Sequence, residues 1–326
     1  MNFWEKLEKP FFVLAPMDDV TDVAFRHTIA NHSKKHGGTY VTVTEFTSAD
    51  GLAHADEKGQ RKLRAKLRFT ERERPIVAQI FSAVPEHMET AAALVRDLGF
   101  DGVDINMGCP DRSVEKQGAG SALIKNPTLA QELIYAAKEG AKKLPVSVKT
   151  RIGYDKNQLD EWLPILLEAN PAVVTLHART RNELSKVPAR WDLIRDAVAI
   201  RNSFYLSTER QNTLIVGNGD VRDLEHARER ATESGADGVM IGRGMFGNPW
   251  IMSDYKSTHE EKMKALIAHT ELFEKEFSGI KSFAVMRKHF SSYIEGFSGA
   301  KELRAMLMEC ATATDVRDII KTHLVD

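Results

Sequence analysis

A parallel (β/α)₈ TIM barrel followed by a smaller C-terminal all-helical domain is the architecture this sequence predicts, on three observations. Eight short, β-rich apolar runs recur along residues 11–241, amphipathic stretches separate them, and residues 257–326 keep helical periodicity with no convincing strand. At 326 residues the chain exceeds the usual span of one hydrophobic core, which requires either one large barrel or two domains.

The runs are FFVLA (11–15), YVTVTE (40–45), PIVAQI (75–80), GVDIN (102–106), VSVK (146–149), VVTLH (173–177), TLIV (213–216) and GVMI (238–241). Between them, segments such as HMETAAALVRDLG (87–99) and LAQELIYAAKEGAKKL (129–144) space apolar residues three and four apart with charge between, as amphipathic helices do. The recurrence is too irregular in length for a solenoid. The boundary falls near residue 256, giving a barrel over 1–256 and a helical domain over 257–326. That domain holds ten Lys/Arg and eleven Asp/Glu, so its overall charge does not mark it as an RNA-binding module.

Composition excludes several classes. The opening MNFWEKLEKPFFVLAP has too short an apolar run to span a bilayer, and carries acidic residues where a signal peptide would be basic, so a cytoplasmic protein without membrane association is expected. Two cysteines, Cys109 and Cys310, are too few for a disulfide framework and lack zinc-site spacing; no metal site is expected. Cys310, in LRAMLMECATA, reads as helix packing. Net charge −1 and a pI near 6.8 give no global basic field. One local patch, KGQRKLRAKLRFTERER (58–74), carries net +6, and a solvated helix face accounts for it equally well.

Chemistry in such a barrel sits at the carboxyl ends of the strands. Those ends deliver Pro16, Met17 and Asp18; Glu45; Gln79; Asn106 with Cys109; Lys149 with Arg151; His177 with Arg179; Asn218 with Asp220; and Gly242 with Arg243. Singly, each has a structural explanation, such as a helix cap or a barrel hydrogen bond. Together on one rim they indicate a site. VGNGDV and IGRGMFGNPW place glycines after strands seven and eight, where many barrels bind phosphate. Gly242, Gly244 and Gly247 also spell the dinucleotide pattern G-x-G-x-x-G, but no further parallel strand follows, so the Rossmann reading is rejected. A phosphate site there, with Lys149 and Gln79 across the barrel mouth, suggests FMN.

The ordered series APMDDVTDVAFR, VTEFTSADGL, DGVDINMGCP, GAGSALIKNP, VSVKTRIG, LHARTR, VGNGD and VMIGRGMFGNPW resembles the tRNA-dihydrouridine synthases over most of residues 11–251, and more weakly in MRKHFSSYIEGFSGAKELR (286–304). The resemblance implies an FMN enzyme that uses NADPH to reduce uridines in tRNA. It implies FMN contacts at Pro16, Met17, Gln79, Lys149, His177, Asn218, Gly219, Asp220, Gly242 and Arg243, joined at the rim by Asp18. It implies Cys109 as catalytic acid, and RNA contacts at Arg179, Thr180, Arg287, Lys288 and His289. Asn106 and Arg151, at neighbouring strand ends, complete the expected substrate side. Asp18 and Asp19 stand where the family more often has small residues, Ser82 where Gly is common, and RNSFYLSTERQNT (201–213) is long for the family.

Hydride addition at C6 of uracil leaves an enolate that takes a proton at C5, and an ordinary thiol, with a pKa of about 8.5, is protonated near neutrality and can give one. That explains a cysteine in a Gly-Cys-Pro turn at the rim. The alternatives are a flavin dehydrogenase of a free pyrimidine, of the dihydroorotate or dihydropyrimidine type, and a catalytically silent RNA-binding barrel. A helical extension argues against the first; Cys109, Lys149 and the phosphate glycines argue against the second. A monomer is expected.

Overall fold

The computed structural model describes residues 2–206 and 213–325. All eight apolar runs form strands: β1 (Phe11–Leu14), β2 (Val41–Val43), β4 (Ile76–Phe81), β5 (Gly102–Met107), β6 (Val146–Arg151), β7 (Val173–His177), β8 (Leu214–Asn218) and β9 (Gly238–Ile241), with a two-residue β3 (Thr47–Ser48) between β2 and β4. Every pairing is parallel; the order runs β2-β1-β9-β8-β7-β6-β5-β4, and β2 also pairs β4, which closes the barrel. β3 continues the line of β2 along the end of β4 after a break at residues 44–46, which frees Glu45 and Phe46 from the ladder at the rim. Strands covered on both faces bury nearly every residue, as β4 and β5 do throughout.

Helices surround the barrel and begin on sequence-encoded caps. Asp22 accepts the Phe25 N–H at 3.0 Å to open Val23–Ser33, and Asp223 accepts the His226 N–H at 2.8 Å to open Leu224–Ser234. Prolines take the first position of Pro85–Asp97 and Pro127–Ala141, where the missing N–H costs nothing. The long stretch before β8 begins as the end of helix Trp191–Leu206; residues 207–212 of it lie outside the described residues. Among the described residues no helix is long and apolar enough to cross a membrane.

From His259 onward the chain is helical among the described residues, with α-helices His259–Phe277, Arg287–Tyr293, Ala300–Met308 and Ala313–Val325. Their core, built from residues such as Phe273, Phe290, Tyr293 and Leu303, also takes in Val23, Ala24, Ala65 and Trp250 from the preceding segment. The helices therefore share a hydrophobic seam with the barrel. Polar anchors reinforce it: Lys281 Nζ lies 3.0 Å from Asp19 Oδ1 and 3.4 Å from Glu45 Oε1, and Lys288 Nζ donates to the Asp19 carbonyl at 2.8 Å. Cys310 is packed as expected, but in the turn after Ala300–Met308 and not within a helix.

One buried ion pair ties the first helix to the segment before β4. Arg26 Nε meets Glu73 Oε2 at 2.7 Å with both side chains fully buried, and the Thr21 carbonyl accepts from the same guanidinium. Glu73→Ala strands that charge, so a loss of about 3–5 kcal/mol is expected, read as a lowered urea midpoint. An unchanged midpoint would show that the Arg26 charge is compensated without Glu73.

Candidate active site

Side chains two apart along a strand point the same way, and the barrel registers align them in rows. Gln79, Asp104 and Ser147 face one another across β4, β5 and β6; Asn106 and Lys149 form the next row; Arg151, His177 and Asn218 the row above, at the carboxyl end. The rows rise into a cavity of about 310 Å³. Its wall includes Cys109, Lys149, Arg151, His177, Asn218 and Arg243.

Cys109 is held by a chain of amides. The Asn106 side-chain oxygen accepts the N–H groups of Gly108 (3.1 Å) and Cys109 (2.9 Å), and Asn106 Nδ2 donates to Gln79 Oε1 at 2.9 Å. Gln79 Nε2 donates in turn to Asp104 Oδ2 at 2.7 Å, and Ser147 Oγ donates to Asp104 Oδ1 at 2.6 Å. Arg151 Nε donates to the Gly108 carbonyl at 2.8 Å, while the Ser121 N–H (3.0 Å) and hydroxyl (2.8 Å) donate to the Cys109 carbonyl. The turn is thus fixed on both sides, which orients the thiol. Burial raises the thiol pKa above its ordinary value, so the group is a protonated thiol at neutral pH.

The opposite electrostatic pole is cationic. Burial, with Arg151 nearby, lowers the Lys149 pKa to about 8, and its ammonium donates to Asn218 Oδ1 at 3.3 Å. It makes no ion pair with Glu45 or Asp104, the carboxylates a purely structural role would have required. Burial also lowers Arg151 to about 10, leaving it charged at neutral pH. Withdrawal from water, then the surrounding Lys149 and arginines, pushes His177 well below its usual value, so the ring is neutral. Arg179 Nη1 lies 3.3 Å from His177 Nε2, which must therefore accept. Asp220 joins this pole through Arg179 and through Arg243 Nη2 at 2.9 Å, and these arginines help hold its carboxyl below the usual range despite burial.

The three glycines after β9 have separate reasons. Gly242 lines the cavity. A Cβ at Gly244 would lie 2.4 Å from the Arg222 carbonyl oxygen, and one at Gly247, where φ is +68°, would lie 1.8 Å from the Ser292 carbonyl oxygen on the helical side of the seam. The second and third glycines therefore serve close packing. β9 pairs β1 and closes the barrel, in keeping with rejection of the Rossmann reading.

Of the expected residues, Pro16, Met17, Asn106, Cys109, Lys149, Arg151, His177, Asn218, Gly219, Asp220, Gly242 and Arg243 line this one cavity. Gln79 stands a row deeper, and Asp18 lies outside the lining, paired with Lys66. The expected RNA contacts need correction at three positions. Arg179 and Thr180 are 2% and 1% exposed, the first because its guanidinium turns inward to Asp220 and the Val187 carbonyl. His289 is 1% exposed because its ring packs among Phe25, Phe246 and His269 at the seam, where burial lowers its pKa to about 3. Arg287 and Lys288 are exposed. The sequence reading missed Phe46 and Ser185 in the lining. Phe46 follows Glu45 at a strand end and was open to the same rule; Ser185, in a strandless loop, carried no signal.

The family model for dihydrouridine synthase matches residues 13–325. A protein of Staphylococcus epidermidis named "probable tRNA-dihydrouridine synthase" is 40% identical over 325 residues, covering 98% of this chain and 96% of that one. A Bacillus subtilis protein named "probable tRNA-dihydrouridine synthase 2" is 41% identical over 324 residues, covering 98% and 95%. Among solved structures, 2-naphthoyl-CoA reductase in complex with 2-naphthoyl-CoA matches with a TM-score of 0.51 at 11% identity, over 76% of this chain and 52% of that one, a likeness of fold.

Proposed function

The chain belongs to the dihydrouridine synthase family, and from that premise we propose that it reduces the C5=C6 bond of uridines in tRNA to 5,6-dihydrouridine. The observation that carries this reading is a fixed, protonated cysteine in the same cavity as a cluster of cations at the carboxyl end of a parallel barrel.

The donor set supports FMN as the cofactor. Lys149 and Arg243 offer positive charge to a phosphate or an anionic ring, Asn218 and neutral His177 offer neutral polar partners, and Gly219 and Gly242 leave the backbone approachable. Gln79, with its amide already engaged on both atoms, keeps one further hydrogen-bonding position on each. Lys149, His177, Asn218 and Arg243 would hold FMN in this cavity, and the cofactor, once reduced by NADPH, would supply hydride chemistry at uracil C6. Cys109 Sγ–H gives its proton to C5, and the thiolate recovers a proton from solvent. Asn106 acts chiefly on the Cys109 turn, since its carbonyl oxygen already accepts two N–H groups from it. We read residues 257–326 as the tRNA-binding domain, with Arg287 and Lys288 on its exposed surface.

Product analysis tests the reading. Incubation of unmodified tRNA with the protein, FMN and NADPH should add two mass units to particular uridines, found by digestion and mass spectrometry. Uridine left unchanged under these conditions would contradict it.

A further inference from the structure

The basic run at 58–74 is resolved by the structure into two groups. Several of its cations are spent on the protein itself: Lys66 pairs with Asp18, Arg68 lies 3.5 Å from Glu276, and Arg74 bonds Glu71 and Asp101. Lys58, Arg61, Lys62 and Arg64 are exposed, and none has an ion pair or side-chain hydrogen bond among the described residues. All four stand on helix Glu57–Lys66, opened by Asp56, whose carboxylate accepts the Gly59 N–H at 2.7 Å.

Geometry gives this group a direction. The helix turns Gln60 and Leu63 toward the preceding helix, where Gln60 Nε2 donates to the Leu52 carbonyl at 2.6 Å. Lys58, Arg61 and Lys62 share another face within about 100° of arc, because residues three and four apart are neighbours, and Ala65, next on that stripe and 1% exposed, packs into the helical domain's core. They line a groove with Glu57, Gly279 and Ile280, at the junction of barrel and helical domain. At the other end of the helix, Lys66 Nζ sits 5.4 Å from the centre of the Phe46 ring, and Phe46 lines the active-site cavity. The helix thus meets the cavity wall at Lys66, already paired with Asp18, and its free cations Lys58, Arg61 and Lys62 stand further along the junction.

We infer that this face of helix Glu57–Lys66 is a docking track for the phosphate backbone of the RNA whose uridine enters the cavity. The inference rests on the reading of tRNA as substrate. Three unpaired cations on one face, about one helical turn from end to end, suit a polyanion with regularly spaced charges. A solvated face that served only solubility would be expected to mix signs, whereas Glu57 is the one acidic residue of this helix. Contacts of this kind position the RNA without reading its sequence.

The test uses the full-length protein with its cofactor and fluorescently labelled unmodified tRNA, titrated by anisotropy over about 50–300 mM KCl. K58E/R61E/K62E is expected to weaken binding tenfold or more at low salt, and to make the slope of log K against log salt shallower by about 2–3. K58Q/R61Q/K62Q, which adds no repulsion, should show the same change of slope with a smaller loss. K6E/K142E/K143E, on exposed lysines preceding β1 and β6 at the opposite end of the barrel, should behave as wild type. Wild-type affinity and slope in both patch variants would overturn the inference alone. A wild-type protein that binds no tRNA would remove the inference and the substrate reading together.

Discussion

Cys109→Ala is expected to lower dihydrouridine formation by about 10²- to 10⁴-fold, the range a positioned general acid contributes, while cofactor content and tRNA affinity stay at wild-type values. The expectation rests on where the thiol is and on its protonation. Asn106 and Arg151 fix the turn that carries it, and burial holds its pKa above that of a free thiol. A general acid must hold its proton to give it, so the reaction should be lost as pH rises through the thiol pKa. The rate is therefore expected to stay level from neutrality into the range where an exposed cysteine would already have ionised. Single-turnover reoxidation of the reduced protein by unmodified tRNA measures both quantities. A Cys109→Ala protein with the wild-type rate would remove Cys109 from the reaction.

Lys149→Met is expected to weaken FMN binding by about 10- to 100-fold, the worth of one hydrogen bond to a charged group. The ammonium stands at the base of the cavity with a pKa lowered to about 8 by burial and by Arg151, so the cation is present below that pH and lost above it. Wild-type affinity should therefore fall between about pH 7 and 9, whereas Lys149→Met should be weak throughout and insensitive to pH over that range. Quenching of flavin fluorescence in titrations at several pH values gives both curves. Equal affinity of the two proteins at pH 7 would show that Lys149 does not touch the cofactor.

The barrel was legible because parallel strands covered on both faces are written as unbroken apolar runs, and each of the eight runs became a strand. The cavity was legible for a related reason. Once the strands are known, their carboxyl ends are known, and residues such as Lys149, His177 and Asn218 could be named from position alone. What failed to read through was depth and facing. Gln79 lies two residues before the end of β4 and so sits a row below the lining. Arg179 follows β7 as an arginine should at an RNA-facing rim, yet Asp220, a residue 41 positions away, turns it inward. His289 shares a helical face with Met286 and Tyr293, both buried, and that spacing was the available sign that its ring points into the seam.

The residues that depart from the family pattern acquire local reasons in the structure. Asp19 takes a positive φ of 54°, its N–H donates to Glu45 at 2.7 Å, and its carboxylate receives Lys281 from the helical domain. Ser82 donates to Asp50 at 3.0 Å, and Asp50 in turn bonds His87 at 2.6 Å. None of these partners was within reach of a motif, because each lies dozens of residues away in the chain. The basic run at 58–74 shows the same limit from the other direction: sequence counted its charges, and only the fold separates those already paired from those left free.

The most direct test of the central claim is anaerobic mixing of the photoreduced, flavin-loaded protein with unmodified tRNA, followed at the flavin absorption band. Reoxidation by tRNA, with none by free uridine or orotate, is the predicted result. Reoxidation by a free pyrimidine with none by tRNA would make the protein a small-molecule dehydrogenase and contradict the account.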